Sequence, residues 1–206
     1  IFVDDIRDAY AVIEKIERSE GRVFIPAWGD ARLTLGTASL ALELIEQCPP
    51  LDAFIVAIGG GSVCAGAGPL LKSIWTDCKV LAAEPEGAPT MLRSFASGKV
   101  EHLDKSTTIA EGLAPPLSCE YFTSICRDCV DDLQAITNHQ IVSAMRFLFE
   151  EAKLAIEPSG AGAMAGALGP FREQISGQRV AIVVSGSNID FESFSARFVM
   201  SAVSKP

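Results

Sequence analysis

Ala53-Phe-Ile-Val-Ala-Ile-Gly-Gly-Gly-Ser-Val-Cys-Ala-Gly-Ala-Gly-Pro-Leu-Leu71 is the longest run of this chain without a charged residue. Its length approaches the roughly 20 apolar residues that a membrane-spanning helix needs. Three adjacent glycines, Gly59, Gly60 and Gly61, occupy its middle, and Gly66, Gly68 and Pro69 follow. An interior glycine costs a helix about 1 kcal/mol relative to alanine, and proline costs more. The run therefore reads as a buried strand over 53–58, a glycine turn, and a helix over 62–75, with no transmembrane segment.

On either side of this unit the pattern repeats. Helical spacing of Ile6, Tyr10, Ile13 and Ile16 predicts a helix over 5–20, closed by Gly21, and Arg22-Val-Phe-Ile25 is a short strand candidate. A helix is expected over 31–47, ending before Pro49-Pro50. Strands over 79–83, 130–136 and 179–184 alternate with helices over 88–97, 118–129 and 138–153, the last capped by Thr137 or Asn138. Thr107 to Gly112 reads as a loop, and a helix rich in glycine and alanine follows Glu157-Pro158. Apolar strands alternating with helices define an α/β fold: a mostly parallel open sheet with helices on both faces.

Composition narrows the function. Lys+Arg total 17 against 26 Asp+Glu, a net charge of −9, which argues against binding nucleic acid or an anionic membrane through a basic face. With 49% hydrophobic residues, long disorder is excluded. The N-terminus has no basic flank before a long apolar core, so no signal peptide is visible, and a cytoplasmic location is expected. Six scattered cysteines include Cys126-Arg-Asp-Cys129, but no second pair completes a zinc site. On a helix these two thiols share a face, which suits buried core cysteines and leaves a redox pair as the lesser reading.

In open α/β sheets ligands bind beyond the carboxyl ends of the strands, and three such ends here carry unusual residues. They are Gly59-Gly60-Gly61-Ser62, Glu84-Pro85 and Ser185-Gly186-Ser187-Asn188. Adjacent glycines before a helix aim backbone N–H groups into one space, where the helix dipole also favours an anion such as phosphate. The turn is not a Walker A loop, because no Gly-Lys-Ser/Thr follows. Nor is it the dinucleotide fingerprint, because Cys64 stands at the third glycine position. A tight strand-to-helix turn without a ligand remains open. Ser185 can equally cap the next helix, Glu157 can sit at a helix N-terminus, and Glu84-Pro85-Glu86 can be a solvated acidic turn.

Taken together, these segments resemble the serine/threonine dehydratase and serine racemase family of fold-type-II pyridoxal-phosphate enzymes. The resemblance rests on Gly21-Arg-Val-Phe-Ile-Pro26, Ile58-Gly-Gly-Gly61, Ala83-Glu-Pro-Glu-Gly-Ala88, Thr108-Ile-Ala-Glu-Gly112, Val130-Asp-Asp132, Ile156-Glu-Pro-Ser-Gly-Ala161 and Ser185-Gly-Ser-Asn-Ile-Asp190. It implies a tryptophan-synthase-β-like large domain over 29–206 that binds pyridoxal 5'-phosphate, with residues 1–28 a remnant of a smaller domain. The cofactor phosphate would be held by the backbone of Gly59, Gly60, Gly61, Ser62 and Val63. Ser185 would hydrogen-bond the pyridine nitrogen, Glu157 would flank the cofactor, and Gly112 would lie against the ring face. Glu157 and Ser185 are thereby the expected catalytic residues of this chain.

Several residues depart from the family pattern. Ser62 replaces a fourth glycine, Ser187 stands where Ser-Gly-Gly-Asn is usual, and Gly36-Thr-Ala-Ser39 replaces Gly-Gln-Gly-Thr. Some relatives hold a divalent cation, Mg or Ca, at positions matching Glu84, Ala88 and Thr90. The threonine removes one carboxylate from a site that needs anionic oxygens. The family's catalytic lysine, in a Ser-x-Lys-x-Arg-Gly segment, has no match here. Neither does the Ser-x-Gly-Asn-His loop that holds the substrate carboxylate. The lysines are Lys15, Lys72, Lys79, Lys99, Lys105, Lys153 and Lys205, none in that context.

The chain is therefore expected to be the C-terminal part of a longer enzyme, inactive without the missing N-terminal segment. The resemblance implies an L-serine/L-threonine ammonia-lyase, homodimeric at full length, acting on a small amino acid. A serine racemase is the near alternative, and a non-catalytic pseudoenzyme or binding subunit the alternative of another class. Severed from its N-terminal part, the chain is expected to expose apolar surface.

Overall fold

Successive side chains of the first strand, β1 (Ala53–Ala57), leave the sheet on opposite sides. Ala53 and Ile55 enter one apolar cluster, and Phe54 and Val56 enter another. β2 (Lys79–Pro85) does the same, with Leu81 and Ala83 on the first side and Val80 and Ala82 on the second. Strands buried on both faces must be apolar throughout, which is why they read as runs rather than as alternations. The computed structural model describes residues 1–3, 6–26, 29–115 and 119–203.

β3 (Asp132–Ile136) and β4 (Val180–Ile182) complete a four-stranded sheet of order β3-β2-β1-β4, with every pairing parallel. On the Phe54 side lie α2 (Ala31–Gln47), α3 (Ser62–Ile74) and α5 (Glu120–Cys129), joined through Ala41, Leu71 and Phe122. The opposite face is covered by α6 (Asn138–Ala152), α7 (Gly162–Leu168) and α8 (Phe191–Val203), through Met145, Ala163 and Phe194. α7 lies close to the sheet because its glycines leave room. A Cβ on Gly162 would stand 2.9 Å from the Ala57 Cβ, and one on Gly166 would stand 2.9 Å from that of Ala83. α1 (Ile6–Glu20) and α4 (Thr90–Ser97) complete the α-helices, and Glu111–Leu113 forms one 3-10 turn.

The chain steps outward from β1 to β2 to β3, then returns to place β4 on the other side of β1. The loop after β1 runs to α3 on one face, while the loop after β4 runs to α8 on the other. Their divergence opens a crevice at the carboxyl ends of β1 and β4, the topological switch point where open α/β sheets bind ligands.

Three sequence expectations need adjustment. Residues 21–26 form no strand: Val23 and Ile25 are exposed, and among the described residues the segment has no strand with which to form a ladder. The cap of α6 is Thr137, not Asn138. Thr137 Oγ1 accepts the Gln140 N–H, and Gln140 Oε1 accepts that of Thr137, a reciprocal capping box. The last strand is shorter than 179–184, because only Val180–Ile182 pairs with β1. Among the described residues no helix is long and apolar enough to cross a membrane. Large apolar side chains are exposed on the N-terminal part, including Phe2, Val23, Ile25 and Leu35.

Candidate active site

The crevice contains a cleft of about 200 Å³ lined by Gly59, Gly60, Gly61, Ser62, Val63, Gly112, Glu157 and Ser185, together with Ala57, Leu113 and Ser159. The residues singled out from four separate segments thus line one space. Gly61 caps α3 with φ +85°, a left-handed conformation natural to glycine. Its carbonyl accepts the Ala65 N–H at 2.8 Å. The N–H groups of Gly60, Gly61, Ser62 and Val63 have no acceptor among the described residues, so the start of α3 presents a set of free donors. Such a set, reinforced by the helix dipole, fits a phosphate. Gly59 lies against the 3-10 turn so closely that a Cβ would stand 2.8 Å from the Leu113 backbone.

The opposite rim is a set of loops pinned by side chains. The Gly112 N–H donates to Ser159 Oγ at 2.9 Å, and the Glu157 N–H donates to the Gly186 carbonyl at 3.1 Å, joining the Glu157 loop to the Ser185 loop. Freed from capping, Asn138 fastens the segment before Gly112. Its Oδ1 accepts from Thr108 Oγ1 and the Ile109 N–H, and its Nδ2 donates to the Thr107 carbonyl. Ser159 and Asn138 were not singled out from the sequence. Both are common loop and helix-start residues, and only the tertiary contact gives them a role. Ser185 is exposed at the mouth, with its hydroxyl unpaired among the described residues.

Glu84 behaves differently from the expected cation ligand, and here the sequence expectation is corrected. It is fully buried, and its two oxygens accept the Met91 N–H at 2.7 Å and the Leu92 N–H at 2.8 Å, anchoring the first turn of α4. The Ala88 carbonyl is likewise engaged, accepting the Thr90 N–H at 2.9 Å. Among the described residues no group of three His, Cys, Asp or Glu side chains is placed to hold a metal ion. Glu84, Ala88 and Thr90 therefore form a helix-start clamp, and no divalent cation site is assigned to them.

Burial raises the Glu84 carboxyl to about 7, outweighing the N–H groups of Leu92, Met91 and Thr90 and the charge of Arg93. A carboxyl raised on folding contributes stability fully present below its unfolded value near 4.5, which is lost as pH rises through about 7. Wild type is expected to lose about 3 kcal/mol relative to Glu84→Gln over that window. Urea denaturation of both proteins from pH 4.5 to 8 measures the difference, and parallel profiles would contradict it.

The Cys126 thiol lies beneath the glycine turn and that of Cys129 against Gly68 of α3, both beside Cys64. All three are buried and all six cysteines are free. Cys126 Sγ donates to the Gly61 carbonyl at 3.5 Å. The Cys64 thiol is pushed up by its contact with Cys126 and by burial, and Cys129 is raised by Cys64 and by burial, so these groups stay protonated. The C-x-x-C is part of the core.

Free backbone donors at a strand-to-helix turn, sharing one cleft with a neutral hydroxyl, make a site that fits a phosphorylated cofactor on an α/β sheet. The chain belongs to the pyridoxal-phosphate-dependent enzyme family, whose model matches residues 1–186. It is 37% identical to phenylserine dehydratase of Ralstonia pickettii over 94% of this chain and 60% of that enzyme. Among solved structures, maize serine racemase matches with a TM-score of 0.85 and 32% identity, over 95% of this chain and 62% of that one. The processed form of threonine deaminase isoform 2 from Solanum lycopersicum matches with a TM-score of 0.91 and 25% identity, over 98% and 56%. The chain spans about three fifths of the length of the curated relatives it matches, 60% and 61% for the first two.

The residues present fit the cofactor that the family implies. The free N–H groups at α3 suit its phosphate, and Ser185 suits a pyridine nitrogen. No lysine of the described residues lines this cleft.

Proposed function

We propose that this chain is the cofactor-holding part of a pyridoxal-phosphate-dependent ammonia-lyase that removes water from a small β-hydroxy amino acid of the serine/threonine type. The observation that carries this reading is one cleft lined both by Ser185, a neutral hydroxyl, and by the glycine turn with its free backbone donors. When bound, the cofactor supplies an electron sink for negative charge at the substrate α-carbon. Gly59 to Val63 would hold the phosphate through backbone donors that require no side-chain rearrangement. Ser185 would donate to an unprotonated ring nitrogen. Unlike a carboxylate, it cannot hold that nitrogen as a cation, which tempers the sink and favours rapid loss of the β-hydroxyl. The Gly112 turn, fixed by Ser159, would support the ring face, and Glu157 would border the reacting side.

The proton at the α-carbon needs a lysine, which none of the described residues supplies to this cleft, so the chain alone is expected to bind the cofactor without covalent attachment. The six free cysteines fit a reducing, cytoplasmic compartment. A homodimer is the assembly expected of the full-length protein.

The test is formation of a 2-oxo acid and ammonia from L-serine and L-threonine by full-length protein, with D-serine measured alongside. Similarity to a serine racemase makes D-serine the second reading. Neither product would reject both. Ser185→Ala is expected to lower 2-oxo acid formation about tenfold, the value of one hydrogen bond near 1.4 kcal/mol. Cofactor affinity should change less, because the phosphate contacts remain. Unchanged turnover would remove Ser185 from the ring nitrogen.

A further inference from the structure

The side chain of Asn138 has no duty in its own helix. Thr137 and Gln140 complete the capping box of α6, so the first helical residue is left to bond elsewhere. It holds Thr108, 30 residues earlier, whose Oγ1 donates to Asn138 Oδ1 at 3.2 Å. The Ile109 N–H donates to the same oxygen at 3.1 Å, and Asn138 Nδ2 donates to the Thr107 carbonyl at 3.3 Å. Two donors at the oxygen and one acceptor at the nitrogen fix the amide in this orientation.

The segment from Thr107 to Ile109 has little else to hold it. Among the described residues it joins no helix or strand, and its one backbone bond to another segment is the Thr107 N–H to the Gly87 carbonyl, at 3.0 Å. From Asn138 an unbroken set of bonds leads to the cleft. Thr108 Oγ1 accepts the Ala110 N–H at 3.1 Å, and the Ala110 carbonyl accepts the Leu113 N–H at 2.9 Å. Gly112 and Leu113 line the cleft, and the Leu113 backbone is what crowds Gly59. Asn138 itself does not line it. A shift at Thr108 is therefore carried to the side of the cleft that faces the glycine turn.

We propose that Asn138 is a positioning residue for cofactor binding: through Thr108 and Ala110 it holds the Gly112–Leu113 turn against the glycine turn and so sets the fit of the cleft. This rests on the reading that the cleft holds pyridoxal phosphate. The test titrates pyridoxal phosphate into this chain and its variants, and measures amide hydrogen exchange without ligand.

Asn138→Ala is expected to bind pyridoxal phosphate about tenfold more weakly, the scale of the hydrogen bonds removed. The amides of Ala110 and Leu113, which Asn138 does not bond, should exchange about tenfold faster. Thr137→Ala is the control: it removes the cap of the same helix, so the urea midpoint should fall while affinity stays at the wild-type value. Thr108→Val breaks the same link from its other end and should reproduce both effects of Asn138→Ala. The double variant should lose little more than either single one, because the two residues share one bond. Thr108→Val also keeps the test decisive if Asn138→Ala does not fold. Unchanged affinity or exchange in both single variants, full additivity in the pair, or an equal loss of affinity in Thr137→Ala would overturn the inference. If the wild-type chain does not bind pyridoxal phosphate, the functional reading fails, and the exchange rates still decide whether Asn138 holds the turn.

Discussion

Replacing Gly59 by alanine is expected to remove phosphate binding from the cleft while leaving the chain folded. The new Cβ would stand 2.8 Å from both the Cα and the carbonyl oxygen of Leu113. Those are backbone atoms, so no rotamer change relieves the contact, and the 3-10 turn must move away. Overpacking of this kind costs about 1–3 kcal/mol of stability. The displacement carries Gly112, tied to Ser159 by its 2.9 Å bond, and opens the cleft on its narrow side. A tenfold or greater loss of affinity for pyridoxal phosphate is expected, about 1.4 kcal/mol. Calorimetric titration measures it. Gly36→Ala, in α2 with nothing within 4 Å of its Cβ position, is the control and should leave both affinity and fold intact. Unchanged affinity in Gly59→Ala would show that the approach of the turn is irrelevant to the cradle.

Phe122→Ala is expected to cost about 3–5 kcal/mol, the largest loss of stability among these substitutions. Phe122 is fully buried on α5, in the cluster that packs α3 against the sheet. Its Cβ lies 3.5 Å from where a Cβ on Gly61 would stand, so the position that loses its ring is packed against the glycine turn. Loss of stability and loss of phosphate affinity should therefore appear together. Tyr121 is its neighbour on the helix, with ring centroids 5.5 Å apart, but is 43% exposed. Tyr121→Ala should cost far less. Equal urea midpoints for the two variants would contradict this account of the core.

Much of the architecture was legible because strands buried on both faces read as apolar runs and helices as a 3.6-residue period. β1, β2 and the helix between them fell within a few residues of their expected positions. The 22–25 strand did not form, since a run of Val, Phe and Ile encodes a preference for extension, whereas a strand needs a partner to bond. For the candidate site, the glycine turn, Gly112, Glu157 and Ser185 could be read as a set because they punctuate strand or loop ends. Ser159 and Asn138 could not. A serine and an asparagine are ordinary in their local sequences. Glu84 matched a cation-ligand position only by resemblance, with Thr90 already removing a carboxylate, and in the fold both its oxygens are taken by the start of α4.

By itself the sequence determined the α/β alternation, the acidic and phosphate-averse exterior, and the glycine turn that can cradle one phosphate only where backbone donors converge. Those properties depend on residue type and on near-neighbour spacing, which a linear reading contains. Tertiary structure alone decided that β4 returns beside β1, so that Ser185 and Gly59 face one crevice although more than half the chain separates them. It also decided that the Asn138 side chain pins Thr107 to Ile109 beside that crevice. Strand order and side-chain pairing are set by which surfaces bury one another, and no local pattern records that.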